Sequence, residues 1–443
     1  MGCTKKVRPA ARQRVPEASS SAVAEEEPTP GEVGPPRIVA RLELIPEAEG
    51  GVRIVGAVSF DVPARAGEVL VLDAVGFEQV RVSAPEGVAW TYDGASLTLD
   101  HGQVDVPGGR SRFDVSYEVT PGAGVIVKPD AVWTAFSTWG WLPVRSDPSW
   151  RVLAELDIQA PDEWVTIATG DGPDHPGADV ASRIPHPAYT LGFFAGRVGA
   201  PSRRGGFSVW GLSEPDADRV LDHTARAHER LRDAFGPAWP AREDYVQVFV
   251  PGRAMQELAG MAFLSGRYVS TLEEDPLEDW LVVHELAHQR WGNMVTCRSW
   301  GDFWINEAVV TWWVARDKAR RGDAAGFERE VRLWRRRLDE KLERGGDARI
   351  WRPGVGVDHA GGSVVYHGGA LVVEQLARHL GPEVLEARLG VWMLDAVKAG
   401  RSVDTLELIA SLELEPEFER AILCQLADAS AQCGLPELFP DGA

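Results

Sequence analysis

The hydrophobic pattern of this chain changes period near residue 205, and that change restricts the fold more than any other feature of the sequence. From about 38 to 200, apolar side chains recur at every second position, as in Val52, Ile54, Val58, Phe60 and Val62, and again in Phe113, Val115, Tyr117 and Val119. Successive side chains of a strand point to opposite faces, so this alternation predicts half-buried strands. Asp93-Gly94, between Trp90/Tyr92 and Leu97/Leu99, has the chemistry of a hairpin turn. An antiparallel β-domain over 38–204 is expected.

Beyond residue 205 the period becomes helical. Helices are predicted over 216–235, closed by Gly236-Pro237, and over 303–321, 327–343, 370–380 and 382–394, with a short strand at 245–250. Asp275-Pro276-Leu277-Glu278 reads as an N-cap, a proline in the first turn and a reciprocal glutamate, so a helix is expected from there to Gly292. No repeat of fixed period is present. The fold class is α+β and multidomain, with a catalytic domain over 205–443.

At 443 residues, with 44% hydrophobic and 25% charged side chains, the chain has material for more than one core. No apolar run approaches the roughly 20 residues of a membrane span, so a soluble body is expected. A formal charge of −20 repels phosphate and anionic membrane, which argues against nucleic acid as a partner. Residues 1–37 are rich in Pro, Ala, Ser, Glu and Arg and too poor in apolar side chains to offset chain entropy, so a disordered tether is expected. Of the four cysteines, Cys3, Cys297, Cys424 and Cys433, none forms a Cys-x-x-Cys pair; Cys424 and Cys433 are either bridged or isolated thiols.

The predicted helix 275–292 contains His284-Glu285-Leu286-Ala287-His288. Residues four apart stack on one helical face, about 6 Å from each other, so both imidazoles can reach one ion while Glu285 flanks it. Catalytic zinc typically keeps three protein ligands and one open position, and Glu307, on the following helix, is the candidate third. This set implies one Zn2+, with Glu285 accepting a proton from water and passing it to a leaving amine. The tryptophans Trp280, Trp291, Trp300, Trp304, Trp312 and Trp313 are read as core. His359 and His379 are read as structural or solvent-facing, and His367 as a neighbour of the site.

The run from His284 to Thr296, followed by Trp304-Ile305-Asn306-Glu307-Ala308, resembles the aminopeptidase N family of gluzincin metallopeptidases, which reads HExxH, Gly-Asn-x-Val-Thr and Trp-Leu-Asn-Glu-Gly. Trp141-Leu142-Pro143 with Asp147-Pro148, and Tyr189 to Phe193, resemble upstream segments of the same family. The resemblance implies a β-saddle domain followed by a mainly helical thermolysin-like domain. It also implies that His284, His288 and Glu307 bind zinc, that Glu285 is the general base, and that peptides are the substrates. Tyr366-His367-Gly368-Gly369-Ala370 resembles the family's Tyr-x-Lys-Gly-Ala segment, with Gly368 in place of Lys, which implies that Tyr366 stabilises the oxyanion.

Two departures bear on specificity. The family's Gly-x-Met-Glu-Asn strand, whose Glu grips the substrate's amino terminus, is matched to Ala259-Gly260-Met261-Ala262-Phe263, with a methyl group at the Glu position. Nor is the glutamine that assists this Glu found near Phe136 to Trp139. Gly260, Met261 and Ala262 are therefore the expected substrate-binding residues, with altered amino-terminus recognition; another acid, Glu257 or Glu273, restores that recognition in the alternative, although neither occupies the matching position. An endopeptidase or unusual exopeptidase, and a zinc-containing binding module that has lost turnover, are the alternatives. For location, Met1-Gly2-Cys3-Thr4 resembles the end of a bacterial lipoprotein signal without its hydrophobic stretch, and Lys6 does not suit myristoylation. A lipid anchor at Cys3, on the bacterial cell envelope, stands against a cytoplasmic location.

Overall fold

The computed structural model describes residues 34–47, 50–169, 184–236, 245–252, 255–275, 277–357, 362–431 and 433–435. Cys3, His359 and the tether up to residue 33 lie outside them. The alternating segment forms a six-stranded sheet in the order His186–Pro187, Arg151–Gln159, Arg37–Pro46, Val52–Pro63, Arg110–Val119, Glu78–Ser83. The antiparallel pairing of Val52–Pro63 with Arg110–Val119 sets Phe60 opposite Phe113 and Val58 opposite Val115, so the alternating apolar positions of both strands share one buried face. One pair departs from the antiparallel pattern: Arg37–Pro46 runs parallel to Arg151–Gln159. A parallel partner needs a long crossover, and the strands lying between these two in sequence supply it. In the Asp93-Gly94 turn, the Asp93 carboxylate accepts hydrogen bonds from the N–H groups of Ala95 and Ser96 at 2.9 and 2.7 Å.

Past residue 200 a second, mixed sheet runs Ser202–Arg204, Phe207–Trp210, Tyr245–Val250, Met261–Ser265, Gln256–Leu258. Its three inner strands are parallel, and the helix Glu214–Phe235 makes the first crossover. Tyr245–Val250 is buried at every position, as expected of a strand covered on both faces. Trp133, Ile167 and Phe194 of a four-stranded sheet join Trp210, Val248, Leu258 and Phe263 of this one in a shared apolar cluster. That cluster fastens the β-rich half to the sheet beneath the site.

The helices Trp304–Arg320, Ala324–Glu343, Gly369–Leu380 and Pro382–Lys398 lie where the periodicity predicts them. Trp291, Trp300, Trp304, Trp312 and Trp313 are buried, the core role expected of them, whereas Trp280 is only half-buried and lines a cavity. Cys424 and Cys433 are bonded, with Cα atoms 5.7 Å apart. Among the described residues no helix is long and apolar enough to cross a membrane.

The segment 275–292 is the main departure. Its helix is only Trp280–Ala287, because the capping residues are engaged elsewhere. Asp275 accepts from the N–H of Leu277 in a local turn, and the Glu278 carboxylate pairs with Lys318 rather than closing a box. Asp279, at the N-cap, is held sideways by His223 at 2.9 Å and by both terminal nitrogens of Arg321 at 3.0 and 2.7 Å. The short helix is thus pinned by its neighbours, not by its own caps.

Val364–Gly368 forms a π-helical turn that leads directly into the helix Gly369–Leu380, which crosses Trp304–Arg320. A Cβ at Gly369 would stand 2.6 Å from the Cβ of Ala308, closer than two carbons can approach. Gly369→Ala must therefore spread this crossing, and we expect it to cost about 1–3 kcal/mol of stability in urea unfolding.

Candidate metal centre

The eight-residue helix Trp280–Ala287 brings His284 to its inner face, and His288 follows immediately as the C-cap. The chain then turns back, so that the carbonyl of Trp291 lies 2.8 Å from His288 Nδ1. A carbonyl can only accept, so Nδ1 carries the proton and the Nε2 lone pair faces the site. Glu307 comes from the first turn of Trp304–Arg320 and is 1% exposed. Its neighbour Asn306 is locked on both sides, donating to the Tyr189 hydroxyl at 3.0 Å and accepting from the Cys297 N–H at 3.1 Å. That lock sets the rotation of the helix, and hence the direction of Glu307.

Three atoms converge. His284 Nε2 and His288 Nε2 are 3.0 Å apart, and Glu307 Oε2 lies 3.6 and 3.3 Å from them. A tetrahedral ion with bonds of about 2.0–2.1 Å holds its ligand atoms about 3.3 Å apart, so this triangle has the size of one face of a zinc site. The mixed imidazole and carboxylate donor set suits zinc as well. Glu285 Oε2 and Glu257 Oε1 are buried in the same space, without hydrogen-bond partners among the described residues. Buried carboxylate oxygens left unpaired are costly, which is the mark of a site built around a cation or a ligand.

The ionisation of the cluster follows from burial and crowding. Burial pushes the Glu285 carboxyl well above its usual range, and the charges of Glu257 and Glu307 add to this against the opposing His288. Burial likewise raises Glu257 to about 7. Glu307 moves the other way: burial opposes its charge, but His288 and His284 bring it down to about 2. Burial also works against an imidazolium at His288, yet Glu307, Glu257 and Glu285 together raise it to about 10. His284 is lowered, chiefly by burial. A divalent ion at the triangle displaces the proton and neutralises more of the carboxylate charge.

These groups open onto a cavity of about 470 Å³ that is also lined by Phe136, Trp280, Lys318, Arg337, Tyr366 and His367. Tyr366 sits in the middle of the π-helical turn Val364–Gly368, a local widening of the helix that is common at functional sites. Burial, then the charges of Glu307 and Glu257, push its hydroxyl well above the usual phenol value, so it remains a hydrogen-bond donor. A Cβ built at Gly368 would lie 3.3 Å from the Ile350 side chain, a tight approach that the glycine avoids. His367 lines the cavity, as expected of a neighbour of the site.

The substrate-binding expectation is corrected here. Gly260, Met261 and Ala262 do not line the cavity; Glu257 does. The edge strand Gln256–Leu258 pairs antiparallel with Met261–Ser265, with Glu257 opposite Ala262, so both side chains share a face of the sheet. Ala262, on the inner strand, is fully buried in the core, whereas Glu257, on the edge, reaches the open space. The letters Gly-x-Met lie on the inner strand of this hairpin, and the cavity is lined from the edge strand. The signal that finds Glu257 is its position three residues before Gly260, whose φ of +73° makes the turn between the strands. The adjacent Gln256 accepts from the Phe136 N–H at 2.7 Å, so a glutamine does tie this strand to the β-rich half, but from the opposite side.

Residues 261–423 match the peptidase family M1 domain. Aminopeptidase N of Streptomyces lividans is 26% identical over 219 residues, 44% of this chain and 25% of that protein. Human endoplasmic reticulum aminopeptidase 1 is 26% identical over 259 residues, covering 53% of this chain and 27% of its own length. The alignments thus span about a quarter of these curated relatives. Among solved structures, an M1 zinc metallopeptidase of Deinococcus radiodurans, in a mutant form bound to a Tyr-Ser-Ala substrate, superposes with a TM-score of 0.69 at 23% identity, covering 92% of this chain and 97% of that one. Native yeast LTA4 hydrolase gives a TM-score of 0.71 at 16% identity, over 91% of this chain and 69% of that one. The fold is therefore that of these enzymes, a β-rich half followed by a mainly helical one.

With Glu307 supplying one corner of the triangle, Glu307→Ala leaves two imidazoles and should lose most of the bound metal. Elemental analysis after dialysis checks this, and a full complement of zinc in the variant would exclude Glu307 as a ligand.

Proposed function

We propose that this chain, which carries an M1 peptidase domain within an aminopeptidase N-like fold, is a zinc-dependent metallopeptidase that removes residues from the amino terminus of peptides. The observation that carries the proposal is the convergence of His284, His288 and Glu307 on one point, with the unpartnered carboxylate of Glu285 beside it. Zinc, when bound there, supplies Lewis-acid chemistry, making water acidic near neutral pH and polarising a carbonyl oxygen. Glu285 accepts the water proton at its free oxygen and returns it to the leaving amine. Tyr366, protonated and on another wall of the cavity, donates a hydrogen bond to the oxygen that becomes negative during attack.

Glu257 is assigned the substrate's terminal ammonium. Its buried carboxylate has an oxygen with no partner among the described residues, and it lies beside Glu285 and His288. An ammonium satisfies such an oxygen with a charge-assisted hydrogen bond. This reading replaces the altered amino-terminus recognition expected from Ala262 with a preference for free amines.

Glu285→Gln should retain zinc and lower turnover by about 10²- to 10⁴-fold, and Tyr366→Phe should retain zinc and lower kcat by about 10²-fold or more. Zinc content and steady-state rates on a mixed peptide library check both, and unchanged turnover in the fully metallated Gln variant would remove Glu285 from the mechanism. For Glu257, one peptide is compared with free and acetylated amino terminus. The free form should be favoured roughly tenfold to a hundredfold, and Glu257→Ala should erase the preference. Equal cleavage of the two forms by the natural protein would return the chain to the endopeptidase reading.

A further inference from the structure

Another wall of the cavity is the helix Ala324–Glu343, which presents Glu330, Leu333, Trp334 and Arg337 to it at spacings of three and four residues. Trp334 is buried and Leu333 half-buried, while Arg337 is exposed. The other cations of the lining are engaged: Lys318 with Glu278 and Asp323, Arg321 with Asp279 and Asp317. The arginines beside Arg337 also have partners, since Arg335 pairs with Asp339 and Arg336 comes within 3.9 Å of Glu340. Glu330 feels the charge of Arg337 from two turns away but makes no ion pair with it. Among the described residues, no carboxylate pairs with Arg337.

A second group, His367, lines the same cavity as Arg337. Burial and the charge of Arg337 bring His367 down to about 4, so its ring is neutral. Its buried Nδ1 has no hydrogen-bond partner among the described residues. A planar guanidinium and a neutral imidazole with an unused nitrogen, lining one cavity, suit a carboxylate, which can take a forked pair of hydrogen bonds from one and a single bond from the other.

We propose that Arg337, assisted by His367, binds the C-terminal carboxylate of short peptides whose amino end is held at Glu257, so that the substrate class is small zwitterionic peptides. The inference rests on the peptidase reading above and adds the far end of the substrate. A cavity of about 470 Å³ with an unpaired anion on one wall and an unpaired cation on another matches a molecule with an ammonium and a carboxylate a few residues apart. Longer chains gain nothing from Arg337, because their carboxylate lies outside.

The test is equilibrium binding to zinc-loaded Glu285→Gln protein, in which turnover is suppressed. Three probes share their first two residues: a tripeptide with a free carboxylate, its C-terminal amide, and an amide with Asp at the third position. The free acid should bind about tenfold or more tighter than the plain amide, and adding Arg337→Gln should abolish that difference while Arg337→Lys keeps part of it. Equal binding of acid and amide overturns the proposal. So does an Asp-bearing amide that binds as tightly as the free acid, since recognition then belongs to acidic side chains. Hydrolysis of peptides by the natural protein, measured alongside, separates these outcomes from failure of the peptidase reading, in which no peptide is cut and this proposal falls with it.

Discussion

Three carboxylates and two imidazoles share one small volume shielded from water, and the rest of the mainly helical half is arranged to make that tolerable. Glu257, Glu285 and Glu307 are each at most 5% exposed. Unpaired charge at such depth is strongly unfavourable, so the groups shift their protonation, gather a cation, or both. The opposite displacements of Glu307 and His288 express the first response, and the zinc-sized triangle of donor atoms the second. An apolar core of the same size would be easier to fold; this one trades stability for chemistry.

Holding such a cluster together requires stiff supports, and they come from far along the chain. Asp279, at the start of the histidine-bearing helix, is gripped by His223 and by Arg321, and Arg321 in turn pairs with Asp317, which also holds Arg230. Three helices are thereby tied at one end of the site. At the other, Asn306 joins Tyr189 and the backbone of Cys297 to the helix that carries Glu307. Arg151, from the six-stranded sheet, donates to the carbonyl of Met294 at 2.7 Å just beyond the histidine turn. These ties explain how an eight-residue helix with no side-chain cap at its start can position two of the candidate ligands, His284 within it and His288 at its C-cap. They also mean that the β-rich half is part of the site's scaffold as well as a neighbour of it.

Much of the site was readable in the residues. The spacing of His284 and His288 is a helical turn, and a helix followed by a return helix places Glu307 near them; the structure has both helices and the convergence. What failed were statements depending on partners that no local pattern reveals. The sequence of Asp275 to Glu278 is a good capping box, yet Lys318 takes Glu278, so the helix begins at Trp280. The letters Gly260-Met261 suit a known motif, yet the strand that faces the cavity is the one before the turn.

Period, spacing and residue type therefore determined the change from strands to helices, the positions of the long helices and the identity of the histidines and acids that can hold a metal. These are local properties, because a side chain's direction along a helix or strand follows from backbone geometry alone. Only the tertiary structure decided which acid on the hairpin reaches the cavity, whether Cys424 meets Cys433, which cation of the cavity lining has no carboxylate partner among the described residues, and where the short helix begins. Each of those depends on which distant group arrives first at a buried charge or an edge strand, and such competition is settled by packing, not by sequence neighbours.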